Sequence, residues 1–117
     1  MTVFKAYDVR AIYPEPLTEE IARKIGQSTG LLLLGESENG GAVVVGHDMR
    51  PSSQSLVRAL KDGILSSGAD VIDVGLVDTP FIAFAVNHLE AIGGIQTTAS
   101  HNPIQYNGFK ICRANAK

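Results

Sequence analysis

Short β-branched runs alternate with longer segments of helical spacing along this chain, and that alternation constrains its fold more than any other feature. Ala42–Val45 is a short β-branched run typical of a buried strand, and Val71–Val74 and Ile92–Thr98 are predicted to be the second and third strands. A segment with apolar residues three or four positions apart follows each of the first two. The order strand, helix, strand predicts βαβ units with right-handed crossovers around a parallel sheet.

Three helices are predicted. The first begins after Thr18, a capping residue, and ends near Gly35; the second begins after Ser52 or Ser53 and ends before Gly68. The third is capped by Thr79, has proline at its first position and ends near Glu90. The apolar stripes predicted for these helices are Ile21, Ile25, Leu32 and Leu33; Leu56, Val57, Leu60, Ile64 and Leu65; and Phe81, Ile82, Ala85, Val86 and Leu89.

The C-terminal part of the chain adds a strand of the opposite direction. Gly108–Cys112 is predicted to be a strand, and the connection that reaches it is too short to hold a helix, which favours antiparallel pairing. The predicted fold class is therefore α/β, a three-layer α/β/α domain with a mixed, mostly parallel sheet of about four strands. With 117 residues, 44% of them hydrophobic, the chain has enough apolar surface for one compact core.

Charge and cysteine content exclude several classes of function. The net charge of −2 and the pI of about 5.8 give no general basic field, so neither nucleic acid nor an anionic membrane is an expected partner. Cys112 is the only cysteine, which excludes an internal disulfide and fits a reducing, cytoplasmic compartment. Residues 1–10 contain no apolar stretch typical of a signal peptide, and the three histidines lack the spacing of a helical zinc site.

Three loops are expected to meet at the carboxyl edge of the sheet, where α/β domains usually bind ligands. They span residues 46–53, 75–80 and 98–103, and the third is the richest in reactive side chains. Ser100 lies there in a turn closed by Pro103, although an isolated Ser-His pair more often makes only local hydrogen bonds. No Asp or Glu follows Glu90, whereas Lys110, Arg113 and Lys117 do, which favours an anion near Ser100 with Lys110 as its point charge.

Other serine and nucleotide chemistries fit these residues less well. A hydrolase elbow has glycine two positions before and after its serine, where this chain has Thr98 and Asn102. A Walker phosphate-binding loop is absent from the sequence. A phospho-accepting aspartate domain built on Asp73 or Asp78 would need an acidic pair early in the chain, and none is found.

The residues around Ser100 resemble a known family. Thr98–Pro103 followed by Tyr106–Lys110 closely resembles the active-serine signature of the α-D-phosphohexomutases, which include phosphomannomutase and phosphoglucomutase. Tyr7–Arg10 and Gly46–Arg50 resemble two further motifs of that family, so the resemblance covers nearly the whole chain. The sequence departs from the family at Ala11, where glycine is usual.

The resemblance implies an isomerase, an intramolecular phosphotransferase that interconverts hexose 1-phosphate and hexose 6-phosphate through a phosphoserine and a hexose 1,6-bisphosphate. The catalytic residues that it implies are Ser100 as phosphoryl carrier, His101, Lys110 and Arg10; those that bind substrate or phosphate are Tyr7, Asn102 and Arg50. For Arg10 the alternative is a surface salt bridge, and for Arg50 a purely structural role. Tyr106 favours the phosphomannomutase and phosphoglucomutase branch over the phosphoglucosamine branch, with mannose and glucose both open.

Magnesium and further domains follow from the same resemblance. In the family, Mg²⁺ is held by an oxygen of the phosphoserine, here Ser100, and by an Asp-rich loop of the next domain, which this chain lacks. Residues 1–117 are therefore expected to be the N-terminal phosphoserine domain, with the C-terminal domains of the same enzyme as partners and no turnover of its own. The alternative is a non-catalytic module that binds sugar phosphates.

Overall fold

The computed structural model describes residues 6–12, 18–38, 40–99 and 106–114, and for residues 6–12 it describes the backbone only. Five strands and three helices alternate along the described residues. The strands are β1 (Ala6–Ile12), β2 (Ala42–His47), β3 (Asp70–Leu76), β4 (Gly93–Thr97) and β5 (Tyr106–Arg113). The helices are α1 (Glu19–Gly35), α2 (Ser53–Ser66) and α3 (Thr79–His88). None of the described helices is long and apolar enough to cross a membrane.

The strands form one mixed sheet in the order β1-β5-β4-β2-β3. Strand β2 is parallel to β3 and β4, whereas β5 is antiparallel to both β4 and β1, so four of these five strands run in one direction. The predicted mixed, mostly parallel sheet is confirmed, with β1 as one strand more than expected. Strand β1 escaped prediction because Asp8 and Arg10 interrupt its apolar residues and its pairing comes from a distant partner, β5.

The helices cover both faces of the sheet, which confirms the three-layer architecture. On one face, α1 and α2 pack with side chains of β2, β4 and β5, among them Val43, Ile95 and Phe109. On the other face, Ile82 and Val86 of α3 pack with Val44 and neighbouring apolar residues. Strand β2 therefore contributes successive residues to opposite cores, as a buried central strand does.

Glycines bring α1 and α2 into close contact. A Cβ atom on Gly26 would collide with the carbonyl oxygen of Leu60, and one on Gly63 would collide with the carbonyl oxygen of Arg23. The predicted apolar stripe of α1 is wrong at Ile21 and Leu32, which are about 40% exposed. The face that is buried is made mainly of small residues, namely Ala22, Gly26, Thr29, Gly30 and Leu33. The reason is that α1 packs against the backbone of another helix, where large side chains do not fit.

The other two helices show smaller departures from prediction. Leu65 of α2 and Leu89, just after α3, are largely exposed, as is Phe81. The cap of α3 is Asp78 rather than Thr79, because the Asp78 carboxylate accepts a hydrogen bond from the backbone N–H of Phe81 at 3.3 Å. The predicted cap of α1 is confirmed, with Thr18 Oγ1 accepting from Ile21 N at 3.1 Å.

Gly63→Ala is expected to destabilise the protein although alanine is the better helix former. The added methyl group would force α1 and α2 apart, at a cost of about 1 to 3 kcal/mol that exceeds the gain of about 1 kcal/mol in helix propensity. Urea unfolding measures the difference. Gly35→Ala is the matched control: nothing lies within 4 Å of its added Cβ, so the free energy of unfolding should rise by up to about 1 kcal/mol. Equal effects of the two substitutions would contradict close helix packing.

Candidate functional site

An open cleft lies at the carboxyl edge of β2, β3 and β4. Its volume is about 510 Å³, and the loops that follow all three strands contribute to its wall. The lining residues are Asp48, Met49, Leu76, Val77, Asp78, Thr79, Gln96 and Thr98. The cleft therefore lies where the strand order predicted a ligand site.

A single carboxylate, that of Asp48, joins the loop after β2 to the residues after β4. Its Oδ1 atom accepts hydrogen bonds from the Arg50 backbone N–H at 3.1 Å and from Ser53 Oγ at 2.8 Å. Its Oδ2 atom accepts from Arg50 Nε at 3.0 Å and from Thr98 Oγ1 at 2.7 Å. Two bonds at each oxygen fill the acceptor capacity of the carboxylate.

Arg50 is one of the most buried charged residues of the described chain, with 7% of its surface exposed. Besides the ion pair with Asp48, its Nη1 atom donates a hydrogen bond to the backbone carbonyl of Tyr106 at 3.2 Å. Arg50 thus links the loop after β2 to the first residue of β5. A buried guanidinium with a carboxylate partner is strongly held, because removal of that partner leaves an uncompensated charge.

A buried amide, that of Asn107, makes a second link to the same loop. Its Nδ2 atom donates to Ser52 Oγ at 2.7 Å and to Ser53 Oγ at 3.0 Å, while Oδ1 accepts from the Gly108 N–H at 2.9 Å. The Thr98 N–H donates to the Gly108 carbonyl at 2.9 Å. The two sides of residues 99–105, which we call the serine segment, are therefore bonded to each other through Thr98 and Gly108, and Asn107 is bonded to the start of α2.

Only some of the predicted site residues lie in the part of the chain that the structure describes. Ser100, His101 and Asn102 lie outside the described residues, so their assignments stay predictions. Of the other four, Arg50 is in the network just described. Lys110 is half-buried in β5.

The pairing of β1 with β5 places the backbones of Arg10 and Tyr7. Arg10 pairs with Gly108, the residue bonded to Thr98, whereas Tyr7 pairs with Ile111, farther from the carboxyl edge of β4. Ala11, where the family usually has glycine, pairs with Asn107 in the regular part of β1, and extended backbone suits alanine.

One part of the charge argument is wrong. Arg113 was expected to favour an anion near Ser100, but it lies at the opposite end of β5 and pairs with Gly93 at the start of β4. There it forms an ion pair with Glu36, with 2.7 Å between Nη2 and Oε2. The physical reason is the antiparallel direction of β5, which carries the chain away from the carboxyl edge of β4. Lys117 lies outside the described residues.

A second well-bonded carboxylate, that of Asp73, lies in β3, away from β5. Asp73 Oδ1 accepts from the Gly75 N–H at 2.8 Å, and Oδ2 forms an ion pair with Lys61 Nζ at 2.7 Å. Asp73 pairs with Val45 just before an irregularity in the β2–β3 register. This carboxylate stabilises the outer part of the sheet through its bonds to Gly75 and Lys61.

Hydrogen bonding lowers the pKa of Asp48. Burial alone would raise it, but the bonds from Thr98, Ser53 and Arg50 together hold the pKa below its ordinary value of 3.8. At neutral pH Asp48 is therefore a carboxylate that accepts four hydrogen bonds.

Burial raises the pKa of the Cys112 thiol, and the charge of Lys110 offsets part of that rise. Because the pKa is raised, the thiol stays protonated and weakly reactive.

The described residues do not by themselves form a metal centre. No group of three or more His, Cys, Asp or Glu side chains comes together among them. Asp48, the carboxylate that accepts from Thr98, has both oxygens occupied by hydrogen-bond donors. A hard cation bound here would need oxygen ligands from elsewhere, such as a phosphate or another domain.

Fold and site together define an α/β/α domain with an open cleft at the carboxyl edge of its sheet, lined in part by Asp48 and Thr98. Comparison with known proteins identifies the family. All residues from 1 to 117 match the family model described as phosphoglucomutase/phosphomannomutase, alpha/beta/alpha domain I. The chain belongs to this family and corresponds to its domain I.

Individual relatives agree with this assignment. Over 117 residues the chain is 49% identical to a phosphomannomutase of Escherichia coli and 49% identical to one of Klebsiella pneumoniae. All of the chain is covered in both cases, with 25% of the first relative and 71% of the second. A crystal structure of a phosphoglucomutase/phosphomannomutase family protein from Burkholderia thailandensis superposes with a TM-score of 0.84 and 40% identity, covering 99% of this chain and 27% of that one. The chain thus spans about a quarter of two of these three proteins.

Sequence reasoning missed the residues that organise the site. Asp48, Ser53, Thr98 and Asn107 are not among the predicted site residues. The available signal was Asp48 followed by Arg50 directly after a strand, because an aspartate often accepts a hydrogen bond from the backbone two residues on. The bonds to Thr98 and Asn107 cross more than 40 positions of sequence and carry no local signal.

The stabilising effect of Asp48 is expected to disappear in acid. Since its pKa is lower in the folded than in the unfolded protein, its contribution is complete well above the unfolded value and is lost as the pH falls through the folded value, below 3.8. Asp48→Asn should lower the free energy of unfolding by about 2 to 3 kcal/mol at pH 7, as expected for hydrogen bonds to a charged group. Urea unfolding between pH 3 and pH 7 should show the two proteins converging towards acid pH. If the difference in the free energy of unfolding between the wild type and Asp48→Asn did not change with pH, the stabilising role of the Asp48 charge would be contradicted.

Proposed function

We propose that this chain is the phosphoserine domain of a phosphohexomutase, an enzyme that interconverts hexose 1-phosphate and hexose 6-phosphate. The observation that carries the proposal is the hydrogen bonding of the residues on both sides of the serine segment to the loop after β2. Thr98, before the segment, and Tyr106 and Asn107, after it, all bond to residues 48–53. Membership of the phosphoglucomutase/phosphomannomutase family supplies the expected chemistry.

In the proposed reaction, phosphorylated Ser100 transfers its phosphoryl group to the free hydroxyl of a hexose monophosphate. The bond between serine Oγ and phosphorus breaks, a bond between the sugar oxygen and phosphorus forms, and the product is a hexose 1,6-bisphosphate. The hydroxyl proton passes to a base at the site, and the serine oxygen regains a proton. The bisphosphate then turns and returns its other phosphoryl group to Ser100, so that no net phosphate is consumed.

Lys110 and Arg10 are proposed to stabilise charge on the transferring group. Phosphoryl transfer depends mainly on positioning and on cations near the phosphoryl oxygens. Lys110 lies on the strand that follows the serine segment, and the backbone of Arg10 pairs with Gly108 beside Thr98. A guanidinium and an ammonium would thus reach the same oxygens from neighbouring strands.

The remaining assignments follow from the family motif. His101 is proposed to act beside Ser100 in proton transfer, and Asn102 and Tyr7 to bind phosphate or sugar. The contacts of Arg50 favour a supporting role, since Nε and Nη1 bond to Asp48 and to the Tyr106 carbonyl. Arg50 would then serve phosphate binding by holding the neighbouring segment in place.

Magnesium remains part of the proposal on the strength of the resemblance. The described residues alone do not provide its ligands, so it would be held by an oxygen of phosphorylated Ser100 and by carboxylates of another domain. When bound, the ion would neutralise charge on the phosphate. The relatives that this chain matches over a quarter of their length support further domains as partners in the complete enzyme, which is expected to act in the cytoplasm.

Covalent phosphate on Ser100 is the expected outcome when the complete enzyme is incubated with magnesium and a hexose 1,6-bisphosphate. Peptide mass mapping locates the group, and Ser100→Ala should abolish both the modification and mutase activity, because the phosphoryl carrier is gone. Mannose, glucose and glucosamine phosphates are compared as substrates. An active enzyme with unmodified Ser100 would refute the assignment. Sugar-phosphate binding without modification or turnover would instead support the non-catalytic module.

The 117-residue chain alone is expected to show no mutase turnover. Carboxylate ligands for magnesium and contacts with the far end of the sugar phosphate would be missing, and with them most of the stabilisation of the transition state. A coupled assay of the chain beside the complete enzyme measures this. Circular dichroism of the chain is the control for folding, and a folded chain that matched the rate of the complete enzyme would contradict the prediction.

A further inference from the structure

Residues from three separate parts of the chain meet at the Asp48 carboxylate. We call this group, made of Asp48, Arg50, Ser53, Thr98 and Asn107, the Asp48 network. Asp48 bonds directly to Thr98, and it bonds to Asn107 through Ser53, whose Oγ donates to Asp48 and accepts from Asn107. The two sides of the serine segment are thus connected through one carboxylate and one hydroxyl.

The Asp48 network holds a residue that is close to Ser100 in sequence, but its carboxylate takes no direct part in the proposed reaction. Ser100 follows Thr98 by two residues, so its Cα atom lies within two Cα steps of about 3.8 Å each from that of Thr98. Both oxygens of Asp48 already accept two hydrogen bonds, which leaves no lone pair for a substrate hydroxyl or a metal ion. Asp48 is therefore suited to holding other groups in place and unsuited to contact with substrate.

We propose that Asp48 is a positioning residue for phosphoryl transfer, because it holds Thr98 and, through Ser53, Asn107 at the two sides of the segment that carries Ser100. The proposal rests on the function proposed above. Its physical basis is that phosphoryl transfer requires donor and acceptor oxygens in line at close range, and a misplacement of about 1 Å costs about a hundredfold in rate. Asp48 would therefore determine the rate of transfer rather than the affinity for substrate.

The positioning role is tested by comparing how substitutions change the rate of Ser100 phosphorylation and how they change stability. In the complete enzyme, Asp48→Asn replaces an acceptor by an amide N–H₂ that faces donors, and Thr98→Val removes the hydroxyl while keeping the shape of the side chain. Both should slow phosphorylation of Ser100 by hexose 1,6-bisphosphate, and kcat with it, by about tenfold to a hundredfold with little change in KM. Single-turnover phosphorylation, steady-state kinetics and melting temperature are measured on the same preparations.

The control is Asp73→Asn, which removes another hydrogen-bonded carboxylate with a lowered pKa, in a strand remote from the serine segment. It should lower the melting temperature while leaving the rate of Ser100 phosphorylation near that of the wild type. If Asp48→Asn does not fold, Thr98→Val decides the matter. Wild-type rates in Asp48→Asn or Thr98→Val, or equal slowing in Asp73→Asn, would overturn the positioning role alone. An active wild-type enzyme without phosphate on Ser100 would overturn the proposed function as well.

Discussion

The arrangement at the cleft depends on one compensated charge, the Asp48 carboxylate. Its partner Arg50 is almost fully buried, and either charge would destabilise the fold there without the other. Because the same carboxylate also accepts from Ser53 and Thr98, electrostatic compensation and the joining of three chain segments are achieved by one side chain. A purely apolar contact could bring these segments together, but it would not fix their orientation as directional hydrogen bonds do.

That network requires a rigid base, which the two-sided core provides. Residues 48–53 lead directly into α2, whose buried face packs on β2 and β4 and whose glycine contact locks it to α1. On the other side of the sheet, α3 packs against β2, and a Cβ atom at Gly46, next to the site, would press into Val77, Gln96 and Ile82. The polar loop thus connects two elements, β2 and α2, whose close packing permits little movement.

Much of the fold could be predicted from local pattern, whereas the contacts between distant segments could not. The buried strands and the start of α1 follow from β-branched runs and a capping threonine, which are properties of neighbouring residues. Strand β1 depends on its pairing with β5, and the glycine face of α1 depends on its packing against α2. Because both partners are distant in sequence, periodicity alone predicts one strand too few and a buried face of α1 that is partly wrong. The same holds for the candidate site: the motif around Ser100 is visible in sequence, but the role of Asp48 depends on Thr98, 50 residues away.

The reversal of direction at β5 explains how a loop after a parallel strand is held at both ends. In a βαβ unit, the chain leaves the carboxyl edge of a strand into a helix, and only the first end of the loop is bonded to the sheet. Here the next described element is β5, which is antiparallel to β4, so the Thr98 N–H meets the Gly108 carbonyl, and Tyr106 and Asn107 bond to residues 48–53. The same reversal separates the two cations of β5, leaving Lys110 towards the cleft end and Arg113 with Glu36 at the far end. A single antiparallel strand therefore places Lys110 nearer than Arg113 to the carboxyl edge of β4.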